Sequence, residues 1–151
     1  MLNKEITRKL RKSIRQFERE LDRYNNQHCC SQISLKQCHM LLAIEDEKSS
    51  SIGRISEILN IDKSSASRMI DTLVKSGLVQ RVIPDENRRT TVITLTEQGQ
   101  NLCHSINESN DLYFSHVFKT FSNEEIEKFA DACEIIARNM IEQSGCCGVD
   151  E

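Results

Sequence analysis

Residues 52–99 read IGRISEILNIDKSSASRMIDTLVKSGLVQRVIPDENRRTTVITLTEQG. Two segments with helical apolar spacing open the stretch. The first is Ile52–Leu59, with Ile55 and Ile58 on one face. The second is Lys63–Ser76, with Ala66, Met69, Ile70, Leu73 and Val74 inward. Asn60-Ile61-Asp62 between them has room only for a tight corner, the signature of a helix-turn-helix. Gly77 stands where a left-handed helix cap is wanted, and Leu78–Val82 then turns extended. A polar turn, 84–89, leads into Thr90–Leu95, rich in β-branched residues, so the two runs are expected to pair as a hairpin. Its tip carries Arg88 and Arg89. A helix-turn-helix followed by a basic hairpin points to duplex DNA.

Outward from this unit, Lys4–Asn26 carries Ile6, Leu10, Ile14, Phe17 and Leu21 in one stripe of a long amphipathic helix. Ser34 can cap a second helix through Glu47, with Leu35, Cys38, Leu41 and Leu42 inward, and Ser49–Ser51 reads as a linker. Thr96 opens a fifth helix to about Lys119, anchored by Leu102, Ile106, Leu112 and Tyr113. Ser122-Asn123-Glu124-Glu125 signals the start of a last helix whose buried stripe would hold Ile126, Phe129, Ala130, Cys133, Ile136, Ala137 and Met140. Ser144–Glu151 reads as a tail.

The expected architecture is mainly α with a small β-hairpin wing. A dimerisation helix occupies 1–33, a winged helix-turn-helix 34–99, and dimerisation helices and a tail 100–151. A long amphipathic helix at each end needs a partner for its stripe, and a symmetric dimer supplies one. Such a homodimer presents two reading helices about 34–36 Å apart, the spacing of a pseudo-palindromic operator in double-stranded DNA.

The chain has 38% apolar and 28% charged residues, and no apolar run approaches the ~18 residues that span a bilayer. No membrane partner and a cytoplasmic location are expected, since the polar start has no signal-peptide pattern. The net charge of −3 hides a gradient: residues 96–151 hold 11 acidic against 3 basic, whereas 1–33 hold 4 against 8. Attraction to phosphate depends on the surface that faces it, not on the sum.

With element order and wing in place, the chain resembles the MarR family of winged-helix transcriptional regulators. Ile61–Leu73 is similar to that family's recognition helix, Lys75–Arg81 to its exit, and Asn87-Arg88-Arg89 through Gly99 to its wing and following helix start. One departure is Asn87, where the family's wing has an aspartate before the arginine pair; Asp85 is the nearby substitute. The resemblance implies a repressor released by ligand. No glycine-rich phosphate loop or nucleophile elbow is present, and Cys103 and His104 diverge by about 100° on a helix, so an enzyme is not expected.

The expected DNA contacts are Lys63, Ser64, Ser65, Ser67 and Arg68 at the start of the fourth helix, with Arg88 and Arg89 on the wing. Arg68 can bond a guanine bidentately, Lys63 suits the backbone, and the wing pair suits the minor groove. The competing possibility is that the serines are cap and solvent residues and that Arg68 pairs with Asp71 or Asp62.

Seven cysteines in an intracellular chain read as thiols rather than disulfides. Cys29, Cys30, Cys38 and Cys103 form a candidate set for a thiophilic ion such as arsenite, zinc or copper(I), with His39, His104, Cys146 and Cys147 as further candidates. By resemblance, the first three cysteine clusters fall on the walls of the family's ligand pocket. Core packing is equally open for Cys38 and Cys103, and is the expectation for Cys133. Thiol redox sensing or a small-molecule inducer is the alternative input. The family's oxidation-sensing branch carries its reactive cysteine near the start of the first helix, where this chain has none.

Overall fold

The computed structural model describes residues 3–28, 33–84 and 91–146. Cys29, Cys30, Cys147 and the wing-tip residues Asp85, Asn87, Arg88 and Arg89 lie outside the described residues, as does the side chain of Cys146. The elements are α1 (Lys4–His28), α2 (Leu35–Glu47), α3 (Ile52–Ile58), α4 (Lys63–Lys75), β1 (Val79–Val82), β2 (Val92–Leu95), α5 (Glu97–Val117) and α6 (Asn123–Cys146). They fall into two compact units, Met1–Asn107 and Glu108–Glu151. The fold is mainly helical with a two-stranded antiparallel hairpin, as the sequence predicts.

Polar caps set the helix starts. Ser34 and Gln37 form a reciprocal capping box on α2, Ser51 accepts the Arg54 amide at α3, and Asp62 accepts the Ser65 amide at α4. Ser122 and Glu125 repeat the box at α6, where hydrogen bonds from the Ser122 amide and hydroxyl hold the Glu125 carboxyl below its usual range. α6 runs on through Ser144 and Gly145 to Cys146, into the stretch expected to be tail.

The core lies in the first unit, built from Met40, Leu41 and Ile44 of α2, Ile55 of α3, Ala66, Ile70 and Leu73 of α4, and Val79, Ile93, Leu95 and Cys103. Alternation along β2 turns Ile93 and Leu95 inward. The register pairs Val79 with Leu95 and Val82 with Val92. Ser50 is more than linker: it exchanges both backbone hydrogen bonds with Ile93, at 3.1 and 2.7 Å, adding a one-residue rung to the free side of β2. Ile58, expected inward, is exposed, because α3 ends there and so short a helix cannot bury it.

The exit of α4 is a Schellman cap. Gly77, at φ +76°, donates to the Val74 carbonyl, and Leu78 donates to the Leu73 carbonyl. Thr96 then ties this corner to α5: its amide donates to the Leu78 carbonyl, its hydroxyl donates to the Gly77 carbonyl at 2.6 Å, and that hydroxyl accepts the Gly99 amide at 3.1 Å. Gly99 sits so close that an added Cβ would meet the Leu78 carbonyl oxygen at 2.0 Å.

Apolar stripes on α1 and α6 are exposed, not buried. Ile6, Leu10, Ile14 and Phe17 of α1 and Phe129, Ile136 and Met140 of α6 all face outward in the single chain, and so does Cys133, expected in the core. The stripes are there as the spacing predicts, but one chain does not cover them. Within the second unit, Phe118 stacks on Phe114 and makes ring contacts with Phe121 and Phe129.

Two glycine substitutions separate the two constraints at this corner. Gly99→Ala forces backbone apart and should cost about 3 kcal/mol, the upper end for overpacking. Gly77→Ala meets only the flexible Gln98 side chain, so left-handed strain alone applies, about 1 kcal/mol. Urea unfolding of both variants checks the order.

Candidate nucleic-acid interface

The N-terminal turn of α4 is held by a relay of short bonds. Asp62 accepts the Ser65 amide at 2.8 Å on one oxygen and the Ser65 hydroxyl at 2.6 Å on the other. Arg68 in turn donates to the Ser65 hydroxyl at 3.3 Å. The hydroxyl bond, then the amide bond, holds the Asp62 carboxyl below its usual range, so the cap is intact at neutral pH and is lost as pH falls below the normal carboxylate range. Lys63, Ser64 and Arg68 are exposed around it, and Ser65 and Ser67 are half-buried. The expected helix-borne contacts therefore share one exposed end of one helix.

The partners suggested as competitors for Arg68 are otherwise engaged. Asp71 is bonded by Arg81 of β1 at 2.6 Å, and Asp62 is committed to Ser65. The Asp71–Arg81 pair joins the reading helix to the hairpin and was not visible in the sequence, because nothing in the periodicity pairs a helix position with a position on the following strand. Opposite charges flanking a predicted helix exit are the one available signal. At the other end of the unit, Arg54 donates to Glu47 through two nitrogens, 3.2 and 3.4 Å, tying α3 to the end of α2.

Of the cysteine candidates, the structure brings together Cys38 and Cys103. Both are buried, from α2 and α5, and near enough for their charges to interact. Burial first, then the negative charges of Glu45, Cys38 and Asp46, pushes the Cys103 thiol up from 9.0 to about 12. His39 and His104 are exposed while their neighbouring cysteines are buried, so the histidines sit on other faces of their helices. Among the described residues no group of three or more histidines, cysteines or acids is placed to hold a metal ion.

Comparison with known proteins places this geometry. Residues 33–91, which cover the capped α2, the helix-turn-helix and β1, match the MarR family model. The chain belongs to the MarR family. The uncharacterized HTH-type transcriptional regulator YfiV of Bacillus subtilis is 26% identical over 70% of this chain, and the match spans 66% of that relative's length, just under two thirds. A MarR family protein from Bacillus stearothermophilus superposes with a TM-score of 0.77 at 22% identity, over 93% of this chain and 99% of that one. A mutant MarR from Escherichia coli, complexed with operator DNA, superposes with a TM-score of 0.66 at 22% identity, over 84% of this chain and 92% of the other. No helix among the described residues is long and apolar enough to cross a membrane.

Burial of Cys103 has a direct readout. In the folded protein at pH ~8, iodoacetamide should label exposed Cys133 and spare Cys103, and urea should unmask Cys103; peptide mass spectrometry checks both. Because the folded thiol titrates above its unfolded value, its contribution to stability is complete below pH 9.0 and is lost as pH rises toward about 12. Cys103→Ala should flatten the stability profile across that window.

Proposed function

We propose that this MarR-family chain is a homodimeric, sequence-specific DNA-binding transcriptional regulator, acting as a repressor of promoters with a pseudo-palindromic operator. The observation that carries the reading is the N-terminal end of α4. There Lys63, Ser64 and Arg68 stand exposed on a turn made rigid by the Asp62–Ser65–Arg68 relay. A rigid turn lets an arginine meet a base edge without a large ordering cost, and a bidentate Arg68–guanine contact is worth about 1–3 kcal/mol of discrimination. Ser65 spends its hydroxyl inside the cap, so Ser64 and Ser67 are the better hydroxyl contacts. The E. coli neighbour with operator DNA supports the same use of the fold. Family and relatives are those of regulators rather than enzymes.

The dimer follows from the exposed stripes of α1 and α6. Ile6, Leu10, Ile14 and Phe17 on one helix, and Ile136 and Met140 on the other, leave more apolar surface than a monomer in water tolerates, and a second copy is the proposed cover. Arg88 and Arg89 are proposed to reach the adjacent minor groove from the wing.

A thiophilic ion is the proposed input, favoured by the adjacency of Cys38 and Cys103. Two sulfurs do not make a three-thiolate site, so this reading requires Cys29 or Cys30 as the third donor. Metal analysis of protein purified under reducing, anaerobic conditions, with DNA titrations against arsenite, zinc and copper(I), tests it. Loss of the response in Cys38→Ser and Cys103→Ser with DNA binding retained is expected; an unaltered response removes the ion from the mechanism.

Fluorescence anisotropy with promoter fragments tests the reading itself. Arg68→Ala should weaken specific binding about 10- to 100-fold and relax sequence preference, whereas Arg89→Ala should weaken all duplexes alike and reduce the salt slope by about 1. Sedimentation should give a dimer, and charge placed in the stripe by Leu10→Glu should yield monomer with lost operator binding. A monomeric wild-type chain that ignores duplex at low salt would overturn the proposal.

A further inference from the structure

We propose that the cleft at the C-terminal end of α2 binds a small zwitterion of the α-amino-acid type with an apolar side chain. The cleft holds about 360 Å³ and is lined by Ile44, Glu45, Lys48, Thr94, Leu95 and Gln100, all within the first compact unit. That volume is at the small end of ligand sites, so the occupant is a small metabolite. Three features choose its chemistry.

Thr94 Oγ1 is fully buried and has no hydrogen-bond partner among the described residues. A buried unsatisfied hydroxyl is costly, and its position on the wall of a cleft is accounted for if a bound acceptor completes it. Next, the lip carries opposite charges. The Glu45 carboxylate is held in place by the Asn107 amide at 2.9 Å through Oε2, which leaves Oε1 for a ligand cation. Lys48, fixed at φ 59° as the residue that ends α2, forms no ion pair among the described residues. Finally, Ile44 and Leu95 supply an apolar wall. A singly charged ligand would desolvate one lip charge without pairing it. A zwitterion pairs both, its ammonium on Glu45 and its carboxylate on Lys48 and the Thr94 hydroxyl. The occupant would bridge α2 to β2, the strand that Ser50 and Ile93 already fasten from the other direction.

The site does not depend on DNA recognition, and its test uses none. Thermal unfolding of the full chain is followed with L-leucine and with its two half-molecules, 4-methylpentanoate and isopentylamine. L-leucine about ten-fold above its Kd should raise Tm by roughly 3–6 °C, with neither half-molecule doing so at the same concentration. Hydrogen exchange at the Thr94 and Leu95 amides should slow in parallel. Thr94→Val should leave the unliganded Tm unchanged or higher, since it removes an orphaned hydroxyl, while abolishing the leucine shift. Lys48→Met, at an exposed position, should abolish it too. The proposal fails if leucine and other apolar L-amino acids leave Tm unmoved, if 4-methylpentanoate matches leucine, or if the shift survives in Lys48→Met.

Discussion

Four elements of the first unit meet at two residues, Gly77 and Leu78, and the winged architecture depends on how closely they meet. The left-handed Gly77 ends α4, and the Leu78 amide closes the cap on Leu73. The Leu78 carbonyl then receives the Thr96 amide, and the Gly77 carbonyl receives the Thr96 hydroxyl. Gly99, in the first turn of α5, packs against that same Leu78 carbonyl with no room for a side chain. Leu78 and Leu73 are both buried, so the polar closure of the cap and the apolar closure of the core coincide. Because β1 starts immediately after Leu78 and β2 ends immediately before Thr96, the hairpin is aimed by this corner. The reading helix, the wing and the helix that leaves them are thereby held as one body.

Much of this was legible because it is local. The Asp62 and Ser34 caps, the short α3–α4 corner, the glycine exit and the Ser122 box each leave a signature within about four residues of the event they cause. Periodicity also placed Ala66, Ile70 and Leu73 correctly. It failed on α2, where Met40 and Ile44 are buried alongside Cys38 and Leu41: a helix covered on several sides has no single stripe to find. It misjudged Leu112 and Cys133 for a different reason. A stripe states that a face wants covering, not that the same chain covers it, and in the single chain these positions are exposed. Contacts between elements distant in sequence were not legible at all. Arg81 on Asp71, Ser50 on Ile93, and Cys38 beside Cys103 arise only when the fold brings them together.

The cysteines show how environment divides a residue type. Cys133, exposed on α6, keeps the chemistry of an ordinary thiol position in the single chain, whereas Cys103 is shielded and surrounded by acidic groups. A thiol pushed that far up is a poor nucleophile at neutral pH, which weighs against simple peroxide sensing at this position. A bound cation would reverse the argument, because positive charge favours the thiolate that Glu45 and Asp46 now disfavour. The acidic neighbours therefore tilt this pair away from oxidation and toward a cation.

Charge at the reading end is better understood from pairings than from totals. A chain of net charge −3 looks ill suited to phosphate, yet Asp62 and Asp71, the acids that cap and line the reading helix, are both compensated. Asp71 is bonded by Arg81, and Asp62 is satisfied by the Ser65 amide and hydroxyl. The Asp71–Arg81 pair is partly exposed and worth little as stability, about 0–1 kcal/mol. Its consequence is geometric and electrostatic. It fixes β1 against α4 and removes a negative charge that would otherwise compete for Arg68. Lys63 and Arg68 are left as the exposed cations of a turn whose helix dipole also presents its positive end. A mildly acidic protein can thus hold a locally positive face, and the size of that face, rather than the isoelectric point, is what an approaching phosphate encounters.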